Sequence, residues 1–165
     1  MASNIHIRNY RESDRESLWS ILEPTFRSGE SYPVDQNISK EDGLAYWLKA
    51  THQVFLAELE AVAVGTYFLK TNQSGGGSHV ANCGYIVAPE ATGCGIASAM
   101  CVHSQEQARQ QNYRAMQFNF VISTNNGAVN LWQKHGFEIV GTLPEAYAHP
   151  SLGFVDAFVM YKTIK

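Results

Sequence analysis

The stretch that most restricts the fold is YIVAPEATGCGIASAM, residues 85–100. An apolar, β-favouring run ends at Pro89, a short polar turn follows, and Gly93-Cys94-Gly95 opens a segment with helical spacing at Ile96, Met100 and Cys101. A strand that enters a helix this way leaves the first helical N–H groups without acceptors, at the positive end of the helix dipole. Glycine adds no side chain to hold a phosphate away from that backbone. The physical reading is an anion cradle built from Cys94, Gly95, Ile96 and Ala97. Steric need alone also explains a GxG in a chain with 13 glycines. The stretch is not a Walker loop, because no Lys-Ser/Thr follows at the required spacing. It is not a dinucleotide fingerprint either, because the third glycine is missing.

Around this junction the chain reads as alternating helical and extended segments. Ile5 and Ile7 open with period-2 alternation, and Ser13 with Glu16 predicts a capping box for a helix to about Phe26. Residues 27–38 are polar, hold Gly29 and Pro33, and predict an exposed loop. Ser39 with Asp42 predicts the start of a second helix carrying Leu44, Trp47 and Leu48. Residues 53–58, 62–70 and 80–88 predict an antiparallel meander, its second turn supplied by TNQSGGGSH, residues 71–79. A helix is expected at about 94–111 and a strand at 115–121. Ala128, Leu131, Trp132 and His135 then recur at i, i+3, i+4 and i+7 before Gly136, the pattern of a helix with a C-terminal glycine. Residues 137–141 and 154–162 predict the closing strands. The order β-α-α-β-β-β-α-β-α-β-β predicts an α+β fold in a single domain over residues 1–165.

Composition narrows the function classes. With 165 residues, 45% hydrophobic and 16% charged, the chain is of globular type, and roughly two-thirds of its unfolded surface can be buried without staples. A net charge of −3 lacks the basic footprint of a nucleic-acid or anionic-membrane binder. Cys83, Cys94 and Cys101 are three thiols without CxxC spacing, so neither a disulfide framework nor a metal site is expected. The N-terminus lacks the basic-then-apolar order of a signal peptide and no run approaches a membrane span, so a cytoplasmic protein is expected.

The junction, taken in context, resembles the acetyl-CoA signature Arg/Gln-x-x-Gly-x-Gly/Ala of the GCN5-related N-acetyltransferases, mapped onto Thr92, Gly93, Cys94, Gly95, Ile96 and Ala97. STNNGA at 123–128 ahead of LWQKHGF at 131–137 resembles the second family pattern, N-x-x-A-x-x-L-Y-x-x-x-G-F. The opening Ile5-His6-Ile7-Arg8 with Asp14 and the element order fit as well. The resemblance implies a mixed, mostly antiparallel sheet of about seven strands, splayed in the middle and flanked by about four helices. It implies acetyl-CoA as co-substrate and direct attack of an acceptor amine on the thioester. A backbone N–H at Ile86 or Val87 would then polarise the thioester oxygen, and the pantetheine arm would lie along residues 86–88. Two positions depart from the pattern. Thr92 replaces the usual Arg or Gln, which weakens the pull on phosphate. Trp132 replaces the tyrosine that protonates the leaving thiolate in many members, and an indole N–H cannot act as an acid at neutral pH.

Asn82 and Asn119 lie in strand segments, where asparagine is disfavoured, and Asn125 opens a helix. Buried amides, bulges and an N-cap explain them structurally. The trio, with the tail GTLPEAYAHPSLGFVDA, also resembles the fungal acetyltransferases that detoxify proline analogues such as azetidine-2-carboxylate. That likeness implies substrate contact and a catalytic role for Asn82, and coenzyme contact for Asn119 and Asn125. Arg27, Glu30 and Tyr32, in the loop that usually covers the acceptor in this fold, are the expected readers of a small zwitterion. Glu58 and His149 are the candidate bases, each with a surface role as the plain alternative. Rival readings are the same fold acting on a phosphinothricin-like amino acid, a polyamine or a protein N-terminus, and an acyl-CoA-binding module without turnover. The apolar last strand is compatible with a homodimer.

Overall fold

The extended segments pair into one seven-stranded sheet that follows chain order from one edge, except that the last two strands exchange places at the other. In this computed structural model, which describes residues 4–164, the strands are β1 (Ile5–Asn9), β2 (Gln53–Leu59), β3 (Val62–Thr71), β4 (Val80–Val87), β5 (Ala115–Ile122), β6 (Glu138–His149) and β7 (Gly153–Thr163). Residues 1–3, where the N-terminal run read for a signal peptide begins, lie outside the described residues. The helices are α1 (Arg15–Ser28), α2 (Lys40–Trp47), α3 (Ile96–Gln110) and α4 (Asn126–Lys134). Every neighbouring pair of strands is antiparallel except β4 and β5, which are parallel and joined through α3, as a parallel pair requires a crossover. The expected α+β fold, with a mixed sheet and four helices, is the one observed.

Alternation along β3 sends neighbouring residues to opposite layers. A Cβ on Gly65 would meet Ile96 and Met100 of α3, whereas Thr66 accepts the indole N–H of Trp47 at 3.1 Å on the α2 side. Thr66 in turn donates to the Phe55 carbonyl at 2.8 Å, so its buried hydroxyl is satisfied both as acceptor and as donor. Leu18, Ile21, Leu22, Phe26, Leu44 and Trp47 bury against one face, and Ile96, Met100, Cys101 and Ala108 against the other.

Several boundaries differ from expectation for physical reasons. Ser13 does not cap α1; it sits in a 3₁₀ turn, Glu12–Asp14, and the Asp14 carboxylate takes the Arg11 N–H at 2.7 Å. An ionised carboxylate is the stronger acceptor, and the same group also pairs with Arg8. The Ser39 cap is as expected, its hydroxyl accepting the Asp42 N–H at 3.0 Å. β6 runs on to His149, well past the expected end at 141, because it absorbs Pro144 and Glu145 in a bulge between Leu143 and Tyr147. Residues 27–38 form no free loop either: Gln36 donates to the carbonyls of Arg27 and Ser28, and Tyr147 ties down Gly29 and Tyr32.

At the far edge of the sheet Arg8 bridges two carboxylates, Asp14 at 2.8 Å and Glu58 at 2.7 Å. The Arg8 hydrogen bond holds the Asp14 carboxyl below its usual range, and bonds from His6 and Arg8 do the same for Glu58. Depressed carboxyl groups contribute their full stability above about pH 4 and lose it as pH falls through their folded values. We expect Arg8→Gln to cost about 1–2 kcal/mol at pH 7 and to flatten the decline in stability toward pH 3. Urea unfolding at both pH values checks this; an unchanged acid-side slope would remove the network from the account.

Candidate active site

The parallel pair β4–β5 holds for two rungs only, Val80 with Ala115 and Ala81 with Met116. Beyond them the strands part. At the first open rung the Asn82 amide donates to the Gln117 carbonyl at 2.8 Å, so a side chain takes the place of the missing ladder. The assignment of Nδ2 is forced, since a carbonyl only accepts. Asn82 is 8% exposed, and its Oδ1 and second N–H remain for a ligand.

Strand alternation decides which backbone groups face the gap. Ala88 N–H bonds to Val64 O at 2.8 Å and Asn72 N–H to Val80 O at 2.8 Å, so even-numbered residues of β4 turn toward β3. Tyr85 and Val87 therefore present N–H and C=O to the opening. The Tyr85 carbonyl is occupied by the Tyr32 hydroxyl at 3.0 Å. Of the two residues expected to offer an N–H, it is Val87 whose N–H points into the gap; that of Ile86 belongs to the β3 ladder.

The opening leads into a cleft of about 830 Å³. One end is the glycine turn. Gly93 and Gly95 both adopt positive φ, +83° and +81°, and a Cβ at either would meet nothing within 4 Å, so both backbones face open space. The helix α3 begins at Ile96, and no protein acceptor among the described residues takes the N–H of Gly95, Ile96, Ala97 or Ser98. Four free N–H groups beside two open glycines fit a pyrophosphate, and Thr92 lines the same wall. Cys94, between the glycines, is exposed, and its own N–H is spent on the Ala91 carbonyl at 3.2 Å. Within the cradle, then, the donors are Gly95, Ile96 and Ala97, joined by Ser98 in place of Cys94.

The other end is walled by Thr25, Ser31, Tyr32, Pro33, Tyr46 and Phe68. Lys134 is the one charged residue lining the cleft among the described residues, and no His, Asp or Glu does. Burial raises the phenols of Tyr32, Tyr46 and Tyr85, which keeps them protonated across the physiological range. A polar annex of about 390 Å³ adjoins through the shared residues Thr25, Ser31, Asn125 and Gly127, and adds Glu30 and His149. Trp132 forms the middle wall, its ring 4.8 Å from Tyr85 and 5.2 Å from Phe118.

The model of the acetyltransferase (GNAT) family matches residues 15–137, a span that includes the glycine turn and α4. The chain belongs to the GNAT acetyltransferase family. It is thereby an acetyl-CoA-dependent acyltransferase. Among solved structures it is similar to a GCN5-related N-acetyltransferase from Kribbella flavida, 31% identical, with TM-score 0.91 and coverage of 96% of this chain and 97% of the other. It also superposes on yncA of Salmonella typhimurium, solved with its cofactor acetyl-CoA, at 18% identity and TM-score 0.84 over 99% and 95% of the two chains. A curated relative is the N-acetyltransferase aca1 of Schizosaccharomyces pombe, 22% identical over 90% of this chain and 79% of that one.

The GNAT scaffold gathers most of the residues singled out in the sequence. Asn82, Ile86, Val87, Thr92, Gly93, Gly95, Ile96, Ala97, Asn119, Asn125 and Tyr32 line the cleft, and Glu30 lines the annex. Arg27 does not; its guanidinium bonds to the Gln36 carbonyl and Glu23 and stacks over Trp19, so it braces α1 against the following loop. Glu58 is also removed as a base, being held in the ion pairs of the sheet edge. The Asn119 amide bridges Gln117 and Asn72, and Asn125 caps α4 through the Ala128 N–H at 3.3 Å. Sequence reasoning missed Tyr46, Phe68, Ser98, Gln117, Lys134 and Tyr147. Tyr46, Phe68 and Gln117 belong to no motif; Ser98, Lys134 and Tyr147 lie within the quoted stretches at positions that the patterns leave open, and no local signal tells what any of them meets across the fold.

Proposed function

We propose that this acetyltransferase carries the acetyl group of acetyl-CoA to the amine of a small molecule, an amino acid or a cyclic imino acid such as a proline analogue. The observation that carries the reading is the continuity of the cleft: the glycine turn, the parted edge of β4 and a neutral aromatic chamber lie on one opening. Aromatic walls at Tyr32, Tyr46 and Phe68 suit a small saturated ring. The absence of acidic residues among those lining the cleft disfavours a polyamine, whose charges would be desolvated without partners.

Bound acetyl-CoA supplies an activated thioester; the remaining work falls to the chain. The N–H groups of Gly95, Ile96, Ala97 and Ser98 hold the pyrophosphate, with Thr92, Asn119 and Asn125 beside the rest of the coenzyme. The Val87 N–H meets the charge that develops on the thioester oxygen. Asn82, fixed by Gln117, accepts from the attacking amine and orients it. The new N–C bond forms as the C–S bond breaks. The amine's proton leaves through the polar annex toward Glu30 and water. The thiolate, with a pKa of about 8.5, takes a proton from water, since Trp132 has none to give. Three free thiols suit a reducing, cytoplasmic setting, where a single such domain detoxifies an amine by masking it.

A mass-spectrometric screen with acetyl-CoA against azetidine-2-carboxylate, proline, amino acids, spermidine and a peptide amine tests this. An N-acetyl product on the imino acids is expected. A product on spermidine or the peptide alone would overturn the acceptor class. Mass detection avoids thiol reagents, to which the exposed Cys94 would respond.

A further inference from the structure

Tyr147 stands on β6, remote from the glycine turn, yet its hydroxyl ends on the wall of the acceptor chamber. It donates to the Gly29 carbonyl at 2.5 Å and also lies 3.0 Å from that of Tyr32, one proton shared by two acceptors 118 and 115 residues away. Tyr147 is 9% exposed and packs with Phe120, Ile122 and Ala157 in a small cluster separate from the main core. Its aim is set by the bulge that precedes it. Glu145 adopts φ +50° and its N–H donates to the Asp156 carboxylate at 2.9 Å, which pins the kink against β7.

The tether continues inward. The ring of Tyr32 fits onto β4 only because residue 84 is glycine, where a Cβ would stand 2.9 Å from the Tyr32 hydroxyl and 2.5 Å from Phe68. The same hydroxyl donates to the Tyr85 carbonyl on the parted edge, the position next to Val87 in that direction. A continuous chain therefore runs from Asp156 through Tyr147 and the loop carbonyls to Tyr32 and the reacting edge of β4.

We propose that Tyr147 is a positioning residue for the acceptor: by holding the carbonyls of Gly29 and Tyr32 it sets where the Tyr32 wall stands in the cleft. The glycine turn and the first turn of α3 share none of these contacts, so the pyrophosphate end of the coenzyme site is left as it is. This rests on the acceptor end as assigned under the proposed function, and its test separates the two.

The variant is Tyr147→Phe in the full chain, read in two ways. Hydrogen exchange needs no acceptor: amides of residues 29–32 and 34 are expected to exchange at least tenfold faster, with the first turns of α3 unchanged. Steady-state kinetics then use azetidine-2-carboxylate or, where the wild type leaves it untouched, the best-accepted amine of the panel. The acceptor KM is expected to rise five- to twentyfold, with turnover changed less than about twofold and the acetyl-CoA dissociation constant unchanged. Tyr32→Phe should give a similar KM rise, and the double variant little more than either alone. Unchanged exchange in the loop, or equal losses toward acceptor and coenzyme, would overturn the proposal. Failure of the wild type to acetylate any imino acid would overturn the acceptor class instead, and leave the exchange result to judge the tether.

Discussion

Gly95→Asp is expected to weaken acetyl-CoA binding at least 100-fold, about 3 kcal/mol, with the fold intact. Three facts about the site lead there. Gly95 adopts φ +81° and ψ 5° at the start of α3, a left-handed conformation that costs a residue with a side chain about 1 kcal/mol. A Cβ there would touch no protein atom within 4 Å, so the substitution disturbs no packing and its added group enters the cleft. That group is a carboxylate beside the N–H groups of Ile96, Ala97 and Ser98, where it both competes for the donors and repels a pyrophosphate. Gly95→Asn separates the contributions: it tolerates the left-handed region and adds similar bulk without charge, so about a tenfold loss is expected. Calorimetric titration with acetyl-CoA, alongside thermal unfolding of the unliganded proteins, compares both variants with the wild type. Wild-type affinity in the aspartate variant would dismiss the glycine turn as the phosphate site.

The second large effect is expected at Asn82. Truncation to alanine leaves the Gln117 carbonyl without its donor at the rung where β4 and β5 part, which costs about 1–3 kcal/mol of stability. It also removes the group placed to orient the amine. Turnover at saturation is expected to drop by roughly one to two orders of magnitude, with the acetyl-CoA dissociation constant within about threefold of wild type. Asn82→Asp sharpens the test, because an ionised carboxylate cannot donate to a carbonyl and faces the negative end of its dipole. That variant should be less stable than alanine and equally slow. Loss confined to coenzyme binding, with turnover preserved at saturation, would assign Asn82 to the other ligand.

Legibility from sequence followed the range of the interaction. The Ser39 cap on Asp42 lies within three residues and was readable as it stands. The capping box expected at Ser13 is equally local, yet Asp14 takes its place, because its carboxylate is held by Arg8 six residues earlier, in β1. Pro144 and Glu145 break the alternation of the far half of β6, beyond the strand expected at 137–141; the bulge that admits them depends on Asp156, a residue of the partner strand. Glu58 looked like a free carboxylate at a strand end, and only the β1–β2 register, which sets His6 opposite Glu58, brings Arg8 and His6 to it. Arg27 looked like a reader of substrate, and the return of the chain at Gln36 gives it other work.

What the sequence determined by itself was the glycine turn, its place between a strand and a helix, the α+β order and the GNAT resemblance. Each of these is written in neighbouring residues, through periodicity, turn chemistry and the demands of a helix start. The tertiary structure alone decided that β4 and β5 separate after two rungs, that Val87 and not Ile86 faces the opening, and that Tyr147 stands against Gly29 and Tyr32. Those facts depend on pairing register and on contacts between residues far apart in the chain. A one-residue change of register would turn every side chain to the other face while leaving the local pattern untouched.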